Sequence, residues 1–267
     1  MKKLYDKSPL GFSLVWIGIY VVVMNIALQV CGGFDHLETK TVRQLLVPVV
    51  CISILAITAT VWVRKQGLEN HFGLCRLAGT CKAFLWFIPL ILMSCVNLKN
   101  GLCLCAPLPV SLLMALNLAL GGYVEELIFR GFLFRAMEKE KLSTAIIVSA
   151  VTFGAGHIVN LGNTADTFGV LLQVCYAIVI GFLYTVITYT GGSLWPCIIS
   201  HMFVNATSVF SPNHGPFTAL VESVFGQDAP WASQVCSAAL IMILSGSYAL
   251  WLWNKHNSFQ DTGIAGC

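Results

Sequence analysis

Charge is what this 267-residue sequence has least of: 15 Lys and Arg with 12 Asp and Glu make up 10% of the chain, while 57% is hydrophobic. A soluble domain carries about 25% charged residues. The deficit excludes an ordinary soluble domain. With a mean hydropathy of +0.80, it implies a protein that lives in the lipid bilayer. No stretch interleaves basic residues with aromatics, which excludes nucleic acid as a partner. No Ala-x-Ala site follows the first apolar run, and that run, at about 22 residues, exceeds a signal-peptide core; it reads as an uncleaved span. No His-Glu-x-x-His run is present, which removes the zincin arrangement. Cysteine is not scarce, at 11. The number is odd, and Cys31, Cys51, Cys95, Cys175, Cys197 and Cys236 lie inside apolar runs, as small core residues do. A secreted disulfide framework is not indicated. His71, Cys75 and Cys81 share a loop at a spacing that fits no common zinc pattern.

What is there is a series of apolar segments. A helix needs about 20 such residues to cross the bilayer core. Candidates are Leu10–Cys31, Gln44–Val63, Ala83–Leu98, Pro109–Phe134, Leu142–His157, Phe168–Thr190, Leu194–Phe210 and Gln234–Trp253. The expected fold is an all-α polytopic transmembrane helix bundle of about eight spans. With the N-terminus inside, inner segments hold Lys2, Lys3, Lys7, Arg64, Lys65, Arg76, Lys82, Arg135, Lys139, Lys141 and Lys255, and outer segments hold only Lys40, Arg43 and Lys99. Cytoplasmic loops carry the excess of Lys and Arg, so both termini are expected in the cytoplasm. The segment Ser211–Ala232 has neither residue and reads as an outer loop. Trp195, Trp231, Trp251 and Trp253 lie near span ends, where interfacial anchors sit. Asn205–Thr207 matches a glycosylation acceptor but lies inside the seventh span. The chain divides into N-terminal helices (1–107), a central polar-bearing core (108–210) and a last loop, span and tail (211–267).

A charged residue at the centre of a span costs roughly 2.5–3.5 kcal/mol on insertion scales. Three segments nevertheless carry strongly polar groups. "VEELIFRGFLF" has Glu125, Glu126 and Arg130; "AVTFGAGHIVN" has His157; "SLWPCIISHMFVNA" has His201 and Asn205. Glu126 and Arg130 are i,i+4 neighbours and can pair. Glu125 points about 100° away and is left free. Phe153 stands i,i+4 from His157 and can wall its ring. His201 and Asn205 share a face. Gly131, Gly154 and Gly156 allow close helix approach. At 1.5 Å per residue, Glu125 lies about 15 Å from Arg135, His157 about 24 Å from Lys141 and His201 about 14 Å from Gly192. These depths place the three near mid-membrane in one cavity expected to open towards the cytoplasm.

Each element also has a plain structural explanation: an ion pair for Glu126–Arg130, an interhelical hydrogen bond for His157, and interhelical glue for His201 with Asn205. An unpaired Glu125 has none. A free carboxylate, two imidazoles and an amide are the parts of a hydrolytic site. The carboxylate serves as general base towards water, the imidazoles bind metal or share proton transfer, and the amide donates to an oxyanion.

Three ordered motifs then stand out. "EELIFRGFL" resembles the EExxxR motif, "FGAGH" the FxxxH motif and "HMFVN" the HxxxN motif of the CAAX-protease and bacteriocin-processing family of intramembrane endopeptidases. That family includes the type II CAAX prenyl endopeptidases and lysostaphin-resistance-protein-like membrane proteins. The resemblance runs from about Leu108 to Phe210. It implies an intramembrane endopeptidase acting on a membrane-associated or lipidated peptide or protein. Glu125 would be the water-activating carboxylate and His157 its partner. His201 and Asn205 would complete the site, and Glu126 and Arg130 would hold it. It leaves two cofactor states open: Zn2+ held by Glu125, His157 and His201, or a metal-free site in which His201 and Asn205 stabilise the oxyanion. The short loops suit a bacterial cell membrane, where prenylated substrates would not be expected. Two other functions compete: a non-catalytic bacteriocin-immunity or scaffold protein, and an ion- or proton-coupled transporter. The charged motif occurs once and no internal repeat is evident, against the paired repeats that transporters often show.

Overall fold

The computed structural model describes residues 1–33, 35–76, 85–227 and 229–255. The described residues are helical throughout, with no strand. Ten helices organise them: α1 (Lys2–Lys7), α2 (Pro9–Val30), α3 (Val42–Lys65), α4 (Ile88–Ser94), α5 (Leu108–Glu126), α6 (Leu142–Gly156), α7 (Thr167–Gly191), α8 (Trp195–Ser208), α9 (Pro216–Phe225) and α10 (Pro230–Asn254). A bilayer core offers backbone groups no water, so helices that satisfy them internally are what can span it. Their ends are marked locally. Ser8 Oγ caps α2 by accepting from Gly11 N at 3.0 Å, Thr41 and Gln44 form a capping box on α3, and Asp166 Oδ1 caps α7 through Gly169 N at 2.8 Å.

Among the described residues, six stretches are long and apolar enough to cross a membrane: Pro9–Val30, Val42–Lys65, Leu108–Met137, Leu142–Gly162, Thr167–Gly191 and Trp231–Asn254. Large apolar side chains face outward from them, among them Ile26, Ile57, Leu116 and Ile243. The protein is therefore an integral membrane protein. The other two expected spans are shorter. Leu194–Phe210 contains the 14-residue α8. Ala83–Leu98 contains α4, with Ala83 and Phe84 outside the described residues. The segment read as a plain outer loop carries α9.

Contacts fix which loops share an end of the bundle. At one end Leu194 N donates to Gly73 O at 2.7 Å, Arg135 Nη2 to Gly192 O at 3.3 Å and Tyr248 Oη to Trp86 O at 2.6 Å. At the other end Thr164 Oγ1 donates to Asp35 Oδ1 at 2.7 Å, Asn100 Nδ2 to Thr218 Oγ1 at 2.9 Å and Cys103 N to Phe210 O at 2.8 Å. The first end carries the Lys- and Arg-rich segments. The short α4 and α8 segments also run from the first end to the second.

The core forms around α5. Trp62, Phe12, Phe132 and Phe72 interlock, with ring centroids 4.4–5.0 Å apart along that series, and join α2, α3 and the loop after α3 to the continuation of α5. Between α6 and α7, a Cβ on Gly154 would sit 2.7 Å from the Ile178 backbone N, so only glycine admits that crossing. Gly156, by contrast, has room beside it, its nearest neighbour being Phe129 at 3.9 Å. The six cysteines of the apolar runs are free thiols. The sequence indicates no secreted disulfide framework; Cys103 and Cys105 are bridged and Cys75 is disulfide-bonded, while Cys81 lies outside the described residues.

Candidate active site

The charged motif sits where α5 changes character. After Glu126 the helix continues as a π-helical stretch, Leu127–Phe134, before returning to α-helix through Met137. π-bulges recur at functional sites. Every residue of this stretch is buried.

Glu126 and Arg130 pair as their spacing implies, Arg130 Nη1 donating to Glu126 Oε1 at 2.9 Å, with both side chains 0% exposed. The Arg130 guanidinium lies over the Phe153 ring at 4.1 Å and over Tyr184 at 5.6 Å, so aromatic faces also compensate its charge. The same Glu126 oxygen takes a second partner, His201 Nδ1 at 2.8 Å.

His201 is the junction of the site. Its Nε2 stands 3.5 Å from Glu125 Oε2, so its two nitrogens face the two adjacent glutamates. The ring is held in place by close packing of α8 on α5. A Cβ on Gly122 would lie 3.2 Å from the His201 backbone carbon and from two of its ring atoms.

The reading of Glu125 as free is corrected. Its Oε1 accepts a hydrogen bond from the hydroxyl of Tyr20, on α2. Tyr20 escaped the sequence analysis because α2 offered only hydrophobicity. A signal did exist: tyrosines of spans favour the interfaces, and Tyr20 stands midway along its helix.

His157 begins the turn that follows α6. Its Nδ1 lies 3.1 Å from Phe153 O, the placement that fixes a tautomer and leaves Nε2 as a lone-pair acceptor. The expected Phe153 wall is present: the ring meets His157 edge-on at 5.0 Å and His201 at 5.7 Å. Asn205 Nδ2 donates to Leu118 O at 3.1 Å, which ties α8 to α5 and leaves the amide one further N–H.

Glu125, His157, His201 and Asn205 all line one cavity of about 1080 Å³, together with Tyr20 and Phe153. The opening expected towards the cytoplasm is to be compared with where the lining reaches. The lining continues through Asn160, Asn163 and Thr164 to Asp35, Lys99 and Asn213, at the end opposite the Lys- and Arg-rich segments. The depth estimate measured distance from one boundary only and carried no information about which helices part. At this mouth Asp35 is held below the usual carboxylate range by the Thr164 hydroxyl and then by the Ala165 N–H. That clasp is therefore present at neutral pH and is lost as pH falls through the lowered range. Burial lowers the Lys99 ammonium.

The candidate metal set was Glu125, His157 and His201. Zinc requires three protein ligands to converge at about 2.0–2.2 Å. Among the described residues no group of three His, Cys, Asp or Glu is placed to hold an ion. His201 turns both nitrogens to carboxylates rather than a lone pair to a shared point. The donor set as arranged does not fit the ion.

No curated protein and no solved structure matches the chain. Residues 107–207, the stretch that supplies Glu125, Glu126, Arg130, His157, His201 and Asn205, match the model of the family described as type II CAAX prenyl endopeptidase, Rce1-like.

Proposed function

We propose that this protein is an intramembrane endopeptidase that hydrolyses a peptide bond of a membrane-associated substrate by Glu-activated water. The observation that carries the reading is the convergence of Glu125, His157, His201 and Asn205 on one cavity, from the stretch that matches the endopeptidase family. Glu125 takes a proton from water, and the hydroxide adds to the peptide carbonyl carbon. The oxyanion is stabilised by the remaining Asn205 N–H and by the His201 Nε2–H, which Glu125 Oε2 gives up once that carboxylate has taken the proton. Collapse breaks the C–N bond, and the proton passes from Glu125, with His157 Nε2 sharing it, to the leaving amine. Comparative peptidomics of membranes holding the wild type or Glu125→Gln tests this. Peptides that disappear in the variant support proteolysis. An unchanged peptide set, with function retained, would favour the immunity or scaffold reading.

The mechanism uses no metal step, because the donor set does not converge. Activity of purified protein is expected to survive exhaustive chelation with less than about a twofold change. A loss that zinc restores would return Glu125, His157 and His201 to the role of ligands, through a rearrangement of His201.

We infer eight crossings with both termini cytoplasmic, supported by the Lys and Arg bias and by the end-to-end course of the α4 and α8 segments. In that orientation the cavity mouth lies on the outer side. Reporter fusions at Gly215 and after Lys255 are expected to read outside and inside respectively. A cytoplasmic signal at Gly215 would invert the topology and turn the mouth inward.

A further inference from the structure

We propose that Tyr20 is a positioning residue for the Glu125 carboxylate, which gives the first span a part in the chemistry. The inference rests on the proteolytic reading. Tyr20 lies outside residues 107–207, midway along α2. Its hydroxyl donates to Glu125 Oε1, while Oε2 of the same carboxylate stands 3.5 Å from His201 Nε2. The two oxygens are thus held from two different helices, and the carboxylate keeps one orientation towards the cavity that it and Tyr20 both line. A phenol has one donor and two lone pairs. Here the donor is committed to Glu125, and the lone pairs can accept from a water in the cavity.

The competing reading is a plain fastener between α2 and α5, which would alter stability and leave turnover per folded molecule unchanged. Tyr20→Phe separates the two. It keeps the ring and exposes Glu125 Oε1 to a cavity that water can fill, so it should fold. With a reporter peptide, kcat is expected to fall about tenfold with KM within about twofold and abundance unchanged. In a Glu125→Asp background, where the shorter carboxylate is out of the phenol's reach, adding Tyr20→Phe should change kcat by less than about twofold, since coupled sites are not additive.

A second measurement needs no activity. The antisymmetric carboxylate stretch of Glu125, identified in the infrared by its loss in Glu125→Gln, should shift in Tyr20→Phe. A band that does not move overturns the contact. A band that moves while kcat and KM stay at wild-type values overturns the positioning role and leaves the fastener. If the wild type cleaves no peptide, the proteolytic reading fails and the positioning role fails with it, while the band still reports the contact.

Discussion

Glu125→Gln is expected to lower peptide cleavage roughly a hundred- to ten-thousand-fold, the range that a general base contributes, while protein abundance stays within about twofold of wild type. The substitution is nearly isosteric. Its amide oxygen can still accept from Tyr20, which now holds Glu125 Oε1. What it removes is the ability to take a proton from water. The side chain is only partly buried, at 16% exposure, and it lines the cavity. Loss of its charge therefore leaves the substituted amide facing the cavity, where water can reach it. KM should change little, because the carboxylate acts on water and not on the resting substrate. Cleavage of a reporter peptide by purified protein, with quantitative immunoblotting of the same membranes, measures both quantities. Retained activity would remove Glu125 from the reaction.

Much of this site was legible along single helices and little of it between them. The i,i+4 spacing of Glu126 and Arg130 is a property of one helix, and the pair forms at 2.9 Å even though a π-helical stretch begins at Leu127. Phe153 and His157 are likewise local, and their rings meet at 5.0 Å. The helical period says which face a residue occupies, but not which neighbour that face meets. So the bond from Tyr20 to Glu125, across 105 positions, was invisible. So was the double engagement of His201, 75 positions from Glu126. Both depend on how α2 and α8 pack against α5, and the packing of α8 is set by Gly122, whose missing side chain leaves no trace in a hydrophobic pattern. The π-helical stretch was hidden for a related reason, since nothing in the spacing of Leu127–Phe134 distinguishes it from a continuing α-helix. The reach of the cavity was hidden in the same way: charge counts order the loops, while the cavity follows where helices diverge.

Glu126→Ala is expected to act in the opposite way to Glu125→Gln, by removing the protein as well as its activity. Glu126 is 0% exposed, and one of its oxygens serves both Arg130, also 0% exposed, and His201. Its loss leaves the guanidinium buried with only the Phe153 and Tyr184 ring faces as compensation. Breaking a buried pair from one side costs roughly 3–5 kcal/mol, against a total stability of about 5–15 kcal/mol for a typical domain. Steady-state abundance should fall severalfold, and thermal unfolding in detergent should begin at lower temperature. Removing both partners is the informative control. Replacing a buried pair by apolar residues of similar volume is often neutral or stabilising. Glu126→Leu combined with Arg130→Met should therefore recover abundance. It should not recover activity, because His201 Nδ1 then has no carboxylate to orient it. Measuring abundance and cleavage together decides the roles of the two adjacent glutamates. If Glu126→Ala kept its abundance and lost cleavage while Glu125→Gln lost its abundance, the base would be Glu126 and the structural anchor Glu125.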